Sequence, residues 1–285
     1  MSAAIQKEKR MDGYFQARRL THVNFYVADL DAAMEFYTKT LGIEEVYRTP
    51  LGRGGFVSNG NTHHDVGFIE ADGPLGKPRG AKPGQVNHIA FELETELALV
   101  ESYNRAAKDG LTFLRTLDHD VSHSVYNVDP DGNVYELYAD VVKDWRSQRS
   151  GIVTKPKPVW SPGATPPVGE VCYHVDPVIR RTEEALFHPL RTSHVTLVVE
   201  DLAAAVEHYE SVVGLHVLSR GSDGLERSIA QARASGFPIE VDIEDSGRHA
   251  VLVRDLDGFL VQFYADAGDG LDCDAISADF ALYLL

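Results

Sequence analysis

Two histidines and one glutamate stand in strand-like segments and have the side-chain chemistry of a metal site. They are His22 in segment 21–27, His88 in segment 87–93 and Glu136 in segment 133–138. Two imidazoles and one carboxylate are the donor set of a mononuclear Fe(II) site, whose remaining positions stay open to substrate and O2. Because these residues are far apart in sequence, only the fold can bring them together.

The composition is that of a globular protein, with 44% apolar and 25% charged residues among 285. A formal net charge of −16 argues against nucleic acid or an anionic membrane as partner. No apolar stretch has transmembrane length, and the first ten residues lack the apolar core of a secretory signal. Two isolated cysteines, Cys172 and Cys273, predict no disulfide. We therefore expect a cytoplasmic protein.

The chain contains an internal repeat. Residues 21–37 return as 193–209 at an offset of 172, and residues 125–140 return as 251–266 at an offset of 126. The offsets differ by 46, so the second copy is shorter by that number of residues. After a predicted strand at 216–220, the chain passes directly to a predicted helix at 224–236. The second copy is therefore one hybrid unit.

A fainter repeat, at an offset of 66, divides the first copy into two units of the pattern βαβββ. Asp29 is the predicted N-cap of the first helix, and Gly42 is its predicted stop. The predicted elements of the first unit are strands 21–27, 44–48, 55–58 and 65–70 and helix 29–40. Those of the second unit are strands 86–93, 111–116, 122–128 and 133–139 and helix 95–108.

These patterns predict an α+β protein of several parts. The predicted parts are an N-terminal extension (1–19), a catalytic domain of two βαβββ units (20–140), an irregular Pro-rich connector (141–190), a reduced non-catalytic domain (191–268) and a C-terminal tail (269–285). The apolar end of the tail, 280–285, is expected to dock on its own chain or on a partner subunit. We expect a homo-oligomer.

The strand-initial histidines, the helix motif beginning Asp29-Leu30 and the ending Asp129-Pro-Asp-Gly-Asn-x-x-Glu136 together resemble the vicinal oxygen chelate superfamily. The resemblance implies paired βαβββ modules that form a cup-shaped mixed sheet around a divalent metal. It also implies that His22, His88 and Glu136 are the ligands. In the second copy Gln262 stands where Glu136 stands in the first, so we interpret His194 and His249 as structural and expect one active site per chain.

Other residues resemble the site of extradiol dioxygenases within that superfamily. His64 matches an acid–base histidine, and Tyr126 matches a tyrosine that hydrogen-bonds the substrate oxygen. A further pocket histidine corresponds to His119, with His123 as the competing position. The resemblance implies Fe(II), with Mn(II) as the alternative. It also implies a catecholic substrate into which both atoms of O2 are inserted.

Two other activities remain open from the sequence. One is a metal-dependent lyase or isomerase similar to glyoxalase I, which would use a second carboxylate ligand from the last strand of the first unit, where Asp65 and Glu70 stand. The other is a metal-free drug-binding protein like those of bleomycin resistance. Retention of the triad argues against the second.

Overall fold

The computed structural model describes residues 13–197, 199–215, 240–245, 248–254 and 260–266. The chain divides into two compact units, Met1–Leu215 and His216–Leu285. Several predicted features lie outside the described residues: strand 216–220, helix 224–236, the tail 269–285 and Cys273. No helix in the described part of the chain is long and apolar enough to cross a membrane.

The first of these two compact units is built on one mixed sheet of nine strands, which confirms the prediction of an α+β fold. The strands are β1 (Arg19–Val27), β2 (Glu44–Thr49), β3 (Gly54–Ser58), β4 (Val66–Glu70), β5 (Gln85–Glu92), β6 (Arg115–Asp118), β7 (Ser122–Val128), β8 (Val134–Asp140) and β9 (Gly151–Ile152). Their order is β6-β7-β8-β5-β1-β4-β3-β2-β9. At the centre β1 and β5 are antiparallel, and each is parallel to the last strand of its own βαβββ unit. The two βαβββ units therefore extend outward from the centre of the sheet, and their strands follow in the same order on either side.

Four α-helices accompany the sheet in the described part of the first unit. They are α1 (Leu30–Glu35), α2 (Glu96–Lys108), α3 (Trp145–Gln148) and α4 (Leu202–His208), and π-helical turns extend α1 through Phe36–Thr40 and α4 through Tyr209–Val213. The Asp29 carboxylate accepts a hydrogen bond from the Ala32 amide at 3.0 Å, which confirms the predicted N-cap. Gly42 follows the π turn with φ +78°, a conformation that favours glycine.

The outer face of the sheet carries the main hydrophobic core. Alternate residues of the central strands, Ile89, Phe91 and Leu137, pack with Leu99 and Val100 of α2. Burying each such side chain stabilises the fold by about 1.5–3 kcal/mol. Because side chains alternate along a strand, the residues between them project from the opposite face, where the sequence places its histidines and Glu136.

β6 begins later than the sequence predicts. The predicted strand covered 111–116, whereas the observed strand is Arg115–Asp118. Leu111 and Phe113 pack against the outer core before the chain enters the sheet. Pairing with β7 starts where the Leu114 amide donates to the Tyr126 carbonyl at 2.9 Å.

The second unit, described for its backbone alone, contains a three-stranded sheet, β10 (Glu240–Asp245), β11 (Arg248–Arg254) and β12 (Leu260–Asp266), in the order β10-β11-β12. The bounds of β11 and β12 equal those of β7 and β8 shifted by 126 residues. The register repeats too, since Arg248 pairs with Asp266 as Ser122 pairs with Asp140. The repeat seen in the sequence is thus a structural repeat.

The beginning of the second copy behaves differently. Its helix forms, with Asp201 as N-cap, but the segment 191–197 forms no strand. In the first copy, β1 is flanked by β4 and β5, whose counterparts the sequence of the second copy lacks. Tyr209, just after α4, packs beside Phe91 of β5. The reduced domain 191–268 as a whole stays a prediction.

The Asp129 carboxylate organises the hairpin between β7 and β8. It accepts hydrogen bonds from the amides of Asp131 and Asn133 and from the Tyr209 hydroxyl, and it is 4% exposed. We expect Asp129→Ala to lower the free energy of unfolding by about 2–4 kcal/mol, because buried donors lose their acceptor. Asp131→Ala, at an exposed position, should cost less than about 1 kcal/mol. Urea denaturation measures both, and equal losses would contradict this role.

Candidate metal centre

One row of paired residues crosses the inner face of the sheet. On β1 His22 pairs with Ala90 of β5, Ala90 pairs with Glu136 of β8, and Glu136 pairs with Tyr126 of β7. Directly paired residues project from the same face, and His88 joins them because it lies two residues from Ala90. The sheet thus brings all three predicted ligands to one place.

The donor atoms of these ligands converge. His22 Nε2 and His88 Nε2 each lie 3.0 Å from Glu136 Oε2. All three residues are buried, with exposures of 1%, 6% and 3%. Two ligands about 2.1 Å from one ion and at right angles to each other would lie about 3.0 Å apart. The spacing therefore fits three ligands on one face of a divalent ion.

Two local features prepare this arrangement. Asn87 Oδ1 lies 2.5 Å from His88 Nδ1, so the proton sits on Nδ1 and the Nε2 lone pair is left for a metal. Ala90 stands between His22 and Glu136 in the row and is fully buried. Its single methyl group leaves room for the two longer side chains to meet across it.

A tight loop between β3 and β4 presents two more histidines. Asp65 Oδ2 accepts from Ser58 Oγ at 2.9 Å and from the Asn59 amide at 2.7 Å, which closes the loop. The His64 ring lies 4.0 Å from the His22 ring, and the His63 ring lies 5.8 Å from it. The sequence motif indicates His64 alone, although the adjacent histidine pair His63-His64 is a signal for its neighbour as well.

The two competing pocket histidines lie on different faces. His119 Nε2 lies 3.1 Å from the Tyr126 hydroxyl and 3.8 Å from Glu136 Oε1, so His119 joins the cluster of buried polar residues around the three predicted ligands. His123 Nδ1 lies 2.6 Å from Glu96 Oε1 of α2, and the His123 ring stacks on Trp160. The alternation along β7 separates His123 from Tyr126. The structure brings His119 to the site and leaves His123 outside it.

The two carboxylates considered as additional ligands are elsewhere. Asp65 is used within its loop, and Glu70 pairs with Arg53 at the surface. Among the described residues, two groups of three have donor atoms within 4.8 Å of one another: His22, His88 and Glu136, and His22, His63 and His64. Only the first contains a carboxylate to offset the charge of a dication.

Burial controls the protonation of the cluster. It lowers the pKa of His64 and of His119 well below the usual value, so both imidazoles are neutral at pH 7. Burial alone would raise the pKa of Glu136, but hydrogen bonds and charge from His22 and His88 outweigh it and lower that pKa well below the usual value. Burial and the Glu136 charge raise the pKa of Tyr126, which keeps its proton.

Comparison with known proteins agrees with this fold. Residues 19–137 match the family model described as the Glyoxalase/Bleomycin resistance protein/Dioxygenase superfamily. Biphenyl-2,3-diol 1,2-dioxygenase 3 of Rhodococcus globerulus is 30% identical over 128 residues, covering 43% of this chain and 63% of that protein. The match thus spans less than two thirds of the relative's length.

Solved structures share the fold over most of the chain. The 2,3-dioxygenase LapB from Pseudomonas sp. KL28 superposes with a TM-score of 0.56 at 15% identity, covering 92% of this chain and 96% of that one. The Mn(II)-bound glyoxalase from Novosphingobium aromaticivorans gives a TM-score of 0.54 at 14% identity, covering 89% and 83%. At these identities the likeness is one of fold alone.

Metal binding separates the two histidine groups. We expect Glu136→Gln to weaken Fe(II) binding by more than about 100-fold, because it removes the only carboxylate of the triad, and His63→Gln to change it less than about fivefold. Anaerobic competition titration and metal analysis measure both, with His194→Gln as the control. If His63→Gln lost Fe(II) binding and Glu136→Gln kept it, the metal would lie in the group of His22, His63 and His64.

A bulkier residue at the centre of the row should block the site without removing a ligand. We expect Ala90→Leu to reduce Fe(II) binding by at least about tenfold, because the added carbons lie between His22 and Glu136. Thermal unfolding of the metal-free proteins controls for loss of structure. A folded Ala90→Leu protein that binds Fe(II) normally would show that the two ligands do not meet across Ala90.

Asp140, near His63 at the end of β8, should make stability depend on pH. Burial raises its pKa to about 7, so the folded protein holds a proton that the unfolded chain releases above about pH 4. Stability contributed by this proton is lost as pH rises from about 4 to 7. We expect Asp140→Asn to reduce the stability difference between pH 5 and pH 8 by about 3 kcal/mol, measured by urea denaturation. The exposed Asp72→Asn should leave that difference unchanged.

Proposed function

Residues 19–137 form a domain of the Glyoxalase/Bleomycin resistance protein/Dioxygenase superfamily, and from this premise we propose that the chain is an extradiol ring-cleaving dioxygenase. The proposed substrates are a catecholic aromatic compound and O2, with both oxygen atoms inserted beside one hydroxyl of the ring. The observation that carries the proposal is the convergence of two histidines and one carboxylate on a face that also holds His64, His119 and Tyr126.

His22, His88 and Glu136 would hold the metal. Fe(II) in that position would supply electron transfer between a catechol and O2 and would bring the two reactants together. Mn(II) has the same preference for imidazole and carboxylate ligands and is the alternative. With only these three protein ligands, the ion would remain accessible to substrate and O2.

The other residues of the site would accept protons from the substrate or donate hydrogen bonds to it. A catechol must lose protons to chelate a cation, and a neutral imidazole within reach can accept one. His64 packs beside His22, and the Tyr47 hydroxyl lies 3.5 Å from His64 Nδ1. We assign proton transfer to His64. The Tyr126 hydroxyl keeps its proton and would donate a hydrogen bond to a substrate oxygen, with His119 at 3.1 Å positioning it.

The alternatives from the sequence receive less support. A glyoxalase I-like site needs a second carboxylate, and the geometry offers His63 and His64 beside His22 while Asp65 and Glu70 are bound elsewhere. A metal-free binding protein would not need two imidazoles pressed against a buried carboxylate, since that arrangement carries a desolvation cost. The dioxygenase accounts for more of the cluster than either.

Aerobic mixing of Fe(II)-loaded protein with a panel of catechols tests the proposal. We expect a yellow ring-cleavage product and uptake of one O2 for each catechol consumed. His64→Gln should lower kcat by about 100-fold or more, because a proton acceptor is lost while the metal ligands remain. A protein that is fully loaded with Fe(II) and cleaves no catechol in the panel would overturn the function.

Paired substitutions test the assignment of the pocket histidine. We expect His119→Gln to lower kcat/KM by about tenfold or more, because Tyr126 loses its partner, and His123→Gln to lower it less than about threefold. Both variants should bind Fe(II) like the unaltered protein. The reverse order of effects would place His123 in the pocket.

A further inference from the structure

Arg149, at the end of α3 in the connector, is buried, and its nearest carboxylate does not satisfy its hydrogen-bond donors. It is 1% exposed, and its Nε, Nη1 and Nη2 atoms have no hydrogen-bond partner among the described residues. The Asp120 carboxylate lies 3.6 Å from Nη2, beyond hydrogen-bond distance, and also lies near the exposed Lys155. A buried guanidinium is costly unless its donors are satisfied, so this arrangement calls for an anion.

Arg149 lies beside the candidate metal centre. Its guanidinium carbon is 5.3 Å from the centre of the Tyr47 ring. The Tyr47 hydroxyl lies 3.5 Å from His64 Nδ1, and the His64 ring lies 4.0 Å from that of His22. One aromatic side chain therefore separates Arg149 from the histidine proposed to move protons.

Two other cations border the same space. Lys157 is exposed as a whole residue, but its amine lies 5.6 Å from the centre of the Phe56 ring, which is itself 5.0 Å from the His64 ring. The protein atoms around the Lys157 amine exclude water from it, and this desolvation together with the nearby Arg149 charge lowers the pKa of Lys157 to about 7. The guanidinium carbon of Arg115 lies 4.5 Å from the centre of the Tyr126 ring.

Three basic side chains lie close together at this site in a protein that is acidic overall. The chain carries a formal net charge of −16, yet three basic side chains border the site and repel one another. Glu136 is used as a metal ligand in the proposed function, and Asp120 is shared between Arg149 and Lys155. A ligand with a negative charge would relieve both the repulsion and the unmet donors of Arg149.

We infer that the substrate is a catechol bearing a carboxylate, which Arg149 binds through its guanidinium fork and Lys157 as a second cation. The planar fork of arginine matches a carboxylate with two parallel hydrogen bonds, which favours this anion. The inference rests on the proposed function for the catechol part of the substrate. The carboxylate part rests on Arg149, Lys157 and their surroundings.

Anaerobic binding to the Fe(II)-loaded protein tests the inference. The probes are 3,4-dihydroxybenzoate, 3,4-dihydroxyphenylacetate and 3-(3,4-dihydroxyphenyl)propanoate, together with their methyl esters. We expect at least one acid to bind more than tenfold tighter than its ester, and Arg149→Met to weaken that acid by about 10- to 100-fold without weakening the ester. Arg79→Met, which removes an exposed arginine and the same net charge, is the matched control.

Lys157→Met supplies a second test in case Arg149→Met fails to fold. We expect it to weaken binding of the preferred acid by about three- to tenfold and to leave the ester unchanged. Equal affinities of acid and ester for the unaltered protein, at all three chain lengths, would overturn the inference. So would an acid preference that survives in both variants.

Aromatic acids without hydroxyl groups separate this inference from the proposed function. Benzoate, phenylacetate and 3-phenylpropanoate cannot chelate the metal, so their binding reports on the carboxylate subsite alone. Arg149-dependent binding of one of them, with no cleavage of any catechol, would support the subsite and contradict the dioxygenase. Cleavage of neutral catechols with no preference for acids would do the reverse.

Discussion

The antiparallel pairing of β1 with β5 is the interaction on which the rest of the structure depends. It joins the two βαβββ units at their first strands and places His22 and His88 on one face of the sheet. The parallel pairing of β5 with β8 then adds Glu136, so three distant residues become neighbours across three strands. A shift of one residue in either pairing would turn a ligand toward the hydrophobic core.

The inner face carries a cost that the outer face offsets. The imidazoles of His64 and His119 are removed from water, which disfavours their charged forms. The core of Ile89, Phe91 and Leu137 against α2 supplies apolar burial behind the same strands. The strands therefore act as a rigid partition: one face stabilises the fold, and the other holds groups whose properties serve binding.

The second copy shows which parts of the repeat are needed for structure. Its hairpin β11–β12 keeps the register of β7–β8, and Tyr209, which follows its helix α4, packs beside Phe91 of β5. Gln262 occupies the position of Glu136, and a neutral amide cannot offset a dication. The segment around His194 forms no strand, because a strand requires the partners that the shortened sequence no longer encodes.

The sequence by itself determined the elements, the repeat and the triad. Periodicity, the Asp29 cap and the repeated motifs depend on residues close together in the chain, so they can be recognised from the sequence without a structure. Tertiary structure alone decided that His119 joins the site, that His63 stands beside His64, and that a connector arginine lies against Tyr47. These outcomes depend on which face of the sheet each strand residue points to and on contacts between distant segments. Adjacent histidines look alike in a sequence, and a connector has no periodicity to show where its side chains point.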